Sequence, residues 1–150
     1  MAIRHLWVLN KSKGAYLKEE FLEAYLIQAV LIEAVAKDLV RFKLPIHCRQ
    51  YKKLIERFSR LTFNEAIDYL AVFNVVKPEM HKKLKDYNHL RNQVFHEILN
   101  APDEVSLKNR LKIAYEDGRQ LHDMLLKKIL KILNKRPKAN IKSPTNSEAE

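Results

Sequence analysis

Glycine is nearly absent from this 150-residue chain: there are two, Gly14 and Gly118. Loops that cradle ATP, GTP or NAD need several glycines where backbone meets phosphate, so those sites are not expected here. Cysteine is scarcer still. Cys48 stands alone, which excludes an intrachain disulfide and a zinc site built from cysteines. A reducing cytoplasm is the compartment this suggests. Long apolar runs are missing as well. The stretch from Ala29 to Val40 is broken by Glu33, Lys37 and Asp38, far short of the roughly 20 apolar residues of a membrane span. The start, MAIRHLWVLNKSKG, has no long apolar core and no small-residue cleavage site, so no signal peptide is expected.

What the chain does have is helix-forming residues and positive charge. Leu, Ala, Lys and Glu are plentiful, and the formal charge is +10. The length suits one domain, expected over residues 1–134, followed by a polar, disordered tail over residues 135–150. Residues 1–15 are ambiguous: Leu6 to Leu9 suit a short strand or a packed lead-in. Leu17, Phe21, Ala24, Leu31, Val35 and Leu39 predict one long, buried helix from Tyr16 to about Lys43, ended by Pro45. A basic segment follows, Tyr51 to Arg60. Thr62 and Glu65 form a capping-box pattern. Pro78 suits the first position of a helix running to about Asn100, where Ala101 and Pro102 break it. A last helix starts near Asp103 or Ser106 and reaches about Asn134, with a kink possible at Gly118, which costs about 1 kcal/mol against alanine. The expected fold class is all-α.

The charge is clustered. Lys127, Lys128, Lys131, Lys135, Arg136, Lys138 and Lys142 have no acid between them, and Arg41, Lys43, Arg49, Lys52, Lys53, Arg57 and Arg60 are opposed only by Glu56. Such surfaces attract polyanions, though solubility alone also accounts for them.

The helix from Pro78 carries the sharpest signal. On an ideal wheel with Met80 at zero, Leu84, Tyr87, Val94 and Ile98 fall within about 40° of it. Arg91 falls at about 20°, Asn92 near 120°, His96 near 160° and His89 near 180°. An arginine inside an apolar stripe is costly unless paired. One reading is an internal ion pair, with Glu33, Asp38, Asp86 or Glu97 as partner, and His96 an ordinary surface histidine. The other is a polar site, R-N-x-x-x-H. Arginine presents a fixed fork to phosphate, histidine moves protons near neutral pH, and Asn92, one turn before His96, can orient the imidazole. Together they suit metal-free cleavage of RNA, in which His96 deprotonates a 2′-hydroxyl and Arg91 stabilises the phosphorane.

The stretch YNHLRNQVFHEIL, residues 87–99, resembles the signature of HEPN domains, and the long apolar helix before it is compatible. The resemblance implies an all-α antiparallel bundle of four to five helices, paired as a homodimer in which two motif helices line one cleft. It implies a metal-independent endoribonuclease, with Arg91, Asn92 and His96 as catalytic residues and no cofactor. Some members are toxins paired with a minimal nucleotidyltransferase antitoxin; others only bind partners. A subset carries tyrosine two residues after the histidine, where this chain has Ile98. RNA contacts are expected from Tyr87, His89, Lys127, Lys128 and Lys131. No metal site is expected: His89 and His96 lie roughly 10 Å apart along the helix, and no HExxH is present. Two other readings stay open, a non-catalytic partner-binding module of the same fold and a basic helical nucleic-acid-binding protein.

Overall fold

The structure is a computed structural model, and it describes residues 2–44, 52–100 and 103–134. The described residues form six helices and no strand: α1 (Ala2–Leu17), α2 (Phe21–Lys43), α3 (Lys52–Ser59), α4 (Phe63–Val72), α5 (Pro78–Asn100) and α6 (Glu104–Asn134). None of them is long and apolar enough to cross a membrane. The expected tail, Pro45 and Cys48 lie outside the described residues.

Two helix ends obey local chemistry that the sequence displays. Thr62 and Glu65 close a full capping box: the Glu65 N–H donates to the Thr62 hydroxyl at 3.2 Å, and the Thr62 N–H donates to the Glu65 carboxylate at 2.7 Å. Asp103 accepts from the Ser106 N–H at 2.6 Å and caps α6. Pro78 opens α5, where its missing N–H leaves no bond unmade.

The one long helix expected from Tyr16 is corrected by the structure. The chain breaks after Leu17, because Glu19 adopts a left-handed backbone, φ 62°. The N–H of Glu19 reaches Tyr16 O at 3.0 Å and that of Glu20 reaches Ala15 O at 3.0 Å, the pattern of a Schellman motif. Residues 2–17 are accordingly a helix rather than a strand, and the described residues form six helices rather than four or five. Asn74, φ 53°, closes α4 in the same way, with Val75 N–H on Leu70 O at 2.9 Å. Asparagine tolerates this conformation, whereas glutamate gives no hint of it.

α2 is the organising helix. It packs against α1, α3, α4 and α6, and α5 lies on α4 and α6. Its buried face carries Tyr25, Ile32, Val35 and Leu39, which meet Ile67 and Leu70 of α4, Leu84 and Val94 of α5, and Leu121 and Leu125 of α6 in one core. α1 is pinned by the Ser12 hydroxyl, which donates to Ala24 O at 2.9 Å, and by Tyr16 stacked on Tyr115 at 4.4 Å. α6 runs on as helix through Gly118. A Cβ there would stand 2.3 Å from Gln28 Oε1 and 2.9 Å from the Tyr87 ring, so glycine permits α6 to approach α2 and α5 closely.

Candidate functional site

Arg91 sits on the inward side of α5, its side chain 22% exposed. Its guanidinium meets Glu33 of α2 at 2.8 Å and lies 5.9 Å from the Phe63 ring centroid. Glu33 is shared, because Lys37 reaches the same carboxylate at 2.6 Å. Burial acts to raise the Glu33 carboxyl, but the Lys37 hydrogen bond and the Arg91 charge outweigh it and hold the group below its ordinary range. The trio of Arg91, Glu33 and Lys37 therefore keeps one net positive charge. Nearby, the Thr62 backbone N–H and then its hydroxyl hold Glu65 low, with Arg57 and Lys37 adding to the effect.

Asn92 and His96 are exposed, one turn apart on α5, and His89 is exposed about one turn before Asn92, on the side of the helix away from Arg91. Arg91 and His96 are five residues apart, about 140° around the helix and roughly 7.5 Å along it. One points toward α2 and the other outward, so a single chain does not bring both onto one phosphate.

Tyr87, expected among the RNA contacts, lies in the core. Tyr87 is 3% exposed, with its ring 6.1 Å from that of Tyr25 and its edge against Gly118. Burial raises its hydroxyl well above the ordinary tyrosine value, and pushes that of Tyr25 up to about 12 against the pull of Arg91. Both stay neutral core groups. The apolar stripe around Met80 already contained Tyr87, and that is the stronger signal.

The expected lysines lie at the other end of the bundle. An α5–α6 cleft of about 400 Å³ runs from Leu90 and Asp117 to Lys83 and Met124. Beyond it, Lys128 and Lys131 join Lys43 and Asn74 around a pocket of about 210 Å³, while Lys127 is exposed beside them. Helix rise puts Lys128 on the order of 18 Å from the level of Arg91 and about 25 Å from that of His96. At about 3.4 Å per phosphate, that is the length of roughly five to seven nucleotides of stacked strand. Lys43 was visible in the sequence only as a member of a separate basic cluster. Its place beside Lys128 depends on α2 and α6 ending at the same end of the bundle.

Compared with known protein families, curated protein sequences and solved structures, the chain matches none.

Proposed function

We propose that this chain is a metal-independent endoribonuclease of HEPN type, acting as a homodimer on single-stranded RNA. The observation that carries the reading is the arrangement on α5. Arg91 is fixed by Glu33 inside a cluster of net positive charge, and Asn92 and His96 follow it on the open surface. In the proposed reaction His96 takes the proton of a 2′-hydroxyl, the 2′-oxygen attacks the adjacent phosphorus, and the 5′-oxygen leaves and is protonated. The products carry a 2′,3′-cyclic phosphate and a 5′-hydroxyl. Arg91, paired yet partly exposed, stabilises the charge on the phosphorane, and Asn92 orients His96. Because Arg91 and His96 diverge on one helix, the cleft draws on α5 of both copies. Lys43, Lys128 and Lys131 hold the strand further along. A nucleotidyltransferase partner belongs to this reading as the antitoxin of a toxin pair.

A second reading has its own support. The ion pair of Arg91 with Glu33 satisfies the arginine within the chain, as a helical partner-binding module without catalysis requires. One experiment separates the two. Purified protein is incubated in EDTA with a defined single-stranded RNA, beside His96→Ala and Asn92→Ala. The ribonuclease reading expects cyclic-phosphate ends that disappear with His96→Ala. Equal cleavage by wild type and His96→Ala overturns it.

A further inference from the structure

The outer face of α2 is an anomaly. This helix has eleven buried residues and neighbours on several sides, yet Val30, at its middle, is 62% exposed. Around Val30 on the same face stand Ile27 and Ala34, both partly buried. α1 extends the patch. Lys11 of α1 meets Glu23 of α2 at 3.5 Å, and the two helices run antiparallel across a short turn. Trp7, one turn before Lys11, therefore stands level with Ile27, one turn after Glu23. Trp7 is 66% exposed and is the chain's single tryptophan. Tryptophan at the surface beside aliphatic side chains is the composition of a binding hot spot, not of a solvated helix face.

The charges around this patch identify what fits it. At the start of α2 lie Glu20 and Glu23; toward its end, on the same face, lie Lys37 and Arg41. Glu23 is seven residues before Val30 and Lys37 is seven after it. A second α2 laid antiparallel, with a two-fold axis at Val30, sets each Glu23 against the other copy's Lys37. Glu20 and Arg41 then approach each other one turn further out. The apolar centre meets itself, and the small Ala34 permits close approach. Such a contact is isologous: every pairing occurs twice. Beside the acidic end lies a groove of about 730 Å³, floored by Leu26 and Leu107 and rimmed by Glu19, Glu20, Glu23 and Glu104, with Lys108 at its edge paired to Glu19 at 2.9 Å. It opens where the basic end of the second α2 would lie. A polyanion would engage only the basic end of this face and leave Trp7 and Val30 in water.

We propose that the outer face of α2, with Trp7 of α1, is the surface on which a second copy of this chain docks antiparallel about Val30. Apolar burial at Trp7 and Val30 supplies the affinity. The charges already have partners within each chain, Glu23 with Lys11 and Lys37 with Glu33, and across the axis they set direction and register. The face stands on these observations alone. One consequence rests on the ribonuclease reading: the two Glu33 residues lie about 9 Å apart along the paired helices, so both Arg91 groups gather beside one axis.

The test is the mass of the full chain in solution, by light scattering at micromolar concentration. The expected value is twice 17.7 kDa. Val30→Arg, at an exposed position, should give 17.7 kDa with an unchanged thermal melt. Glu23→Lys and Lys37→Glu should each raise Kd about tenfold or more, and the double variant should restore the dimer. Val30→Cys in a Cys48→Ser background should cross-link on mild oxidation. A monomer at these concentrations overturns the proposal, and so does a dimer indifferent to Val30→Arg and to both reversals. The readout is mass, so failure to cut RNA leaves the proposal intact. A dimer formed through another face refutes it without touching the ribonuclease reading.

Discussion

Replacing Gly118 by alanine sets two effects of known sign against each other. Inside a helix, glycine is about 1 kcal/mol less favourable than alanine, so the substitution gains that much from propensity. Against it stands the space available. The new Cβ would lie 2.3 Å from Gln28 Oε1 and 2.9 Å from both Cε2 and the hydroxyl of Tyr87. Gln28 is a flexible amide but is 1% exposed, and the Tyr87 ring is held in the core, so neither yields without displacing its neighbours. Overpacking of this kind costs about 1–3 kcal/mol. The net expectation is a loss of about 1 kcal/mol, or roughly 2–4 °C in Tm for a chain of this size. Gly14 supplies the control. It too lies within a helix, α1, but nothing stands within 4 Å of its Cβ position. Gly14→Ala should therefore keep the whole propensity gain and raise Tm by a few degrees. Subtracting one variant from the other cancels propensity and leaves the clash. Differential scanning calorimetry reads both. Equal stabilisation by the two substitutions would refute the packing of α6 against Gln28 and Tyr87.

Three further outcomes follow from local chemistry. Thr62→Ala removes half of a complete capping box and should cost about 1 kcal/mol in urea unfolding. Glu33 has its folded pKa held below the ordinary 4.5, so its contribution is present above that pH and is lost as pH falls through the folded value. Urea unfolding at stepped pH should show that loss in the wild type and a shallower acid limb in Glu33→Gln. Lys128→Ala and Lys131→Ala should each reduce the salt dependence of RNA binding by about one unit of slope, uniformly across sequences.

What the sequence displays and what it conceals divide along physical lines. α5 runs from Pro78 to Asn100 as expected, because proline punctuates both sides of it. The capping box at Thr62 is a local bond pattern and is equally readable. The break at Glu19 is not, because the residue in the left-handed position is neither glycine nor asparagine. Arg91 stood out on the wheel as a charge in an apolar stripe, and Glu33 was among the acids placed within its reach. Lys37 as a second claimant on that carboxylate, and Phe63 beneath the guanidinium, depend on how α2 and α4 pack, which periodicity does not specify. Gly118 showed only its propensity cost; its use lies in two side chains from other helices.

The central claim is that Arg91 acts on RNA and does not merely brace α5 against α2. Arg91→Met tests it most directly, since methionine keeps an apolar stem of similar reach over Phe63 while removing the charge. The pair it breaks is partly exposed and Glu33 retains Lys37, so the fold should survive with a modest fall in Tm. Single-turnover cleavage of a defined RNA in EDTA, on protein shown to be folded by circular dichroism, is the measurement. The account predicts a loss of about a hundredfold or more relative to wild type. A folded Arg91→Met protein that cleaves at the wild-type rate would contradict it.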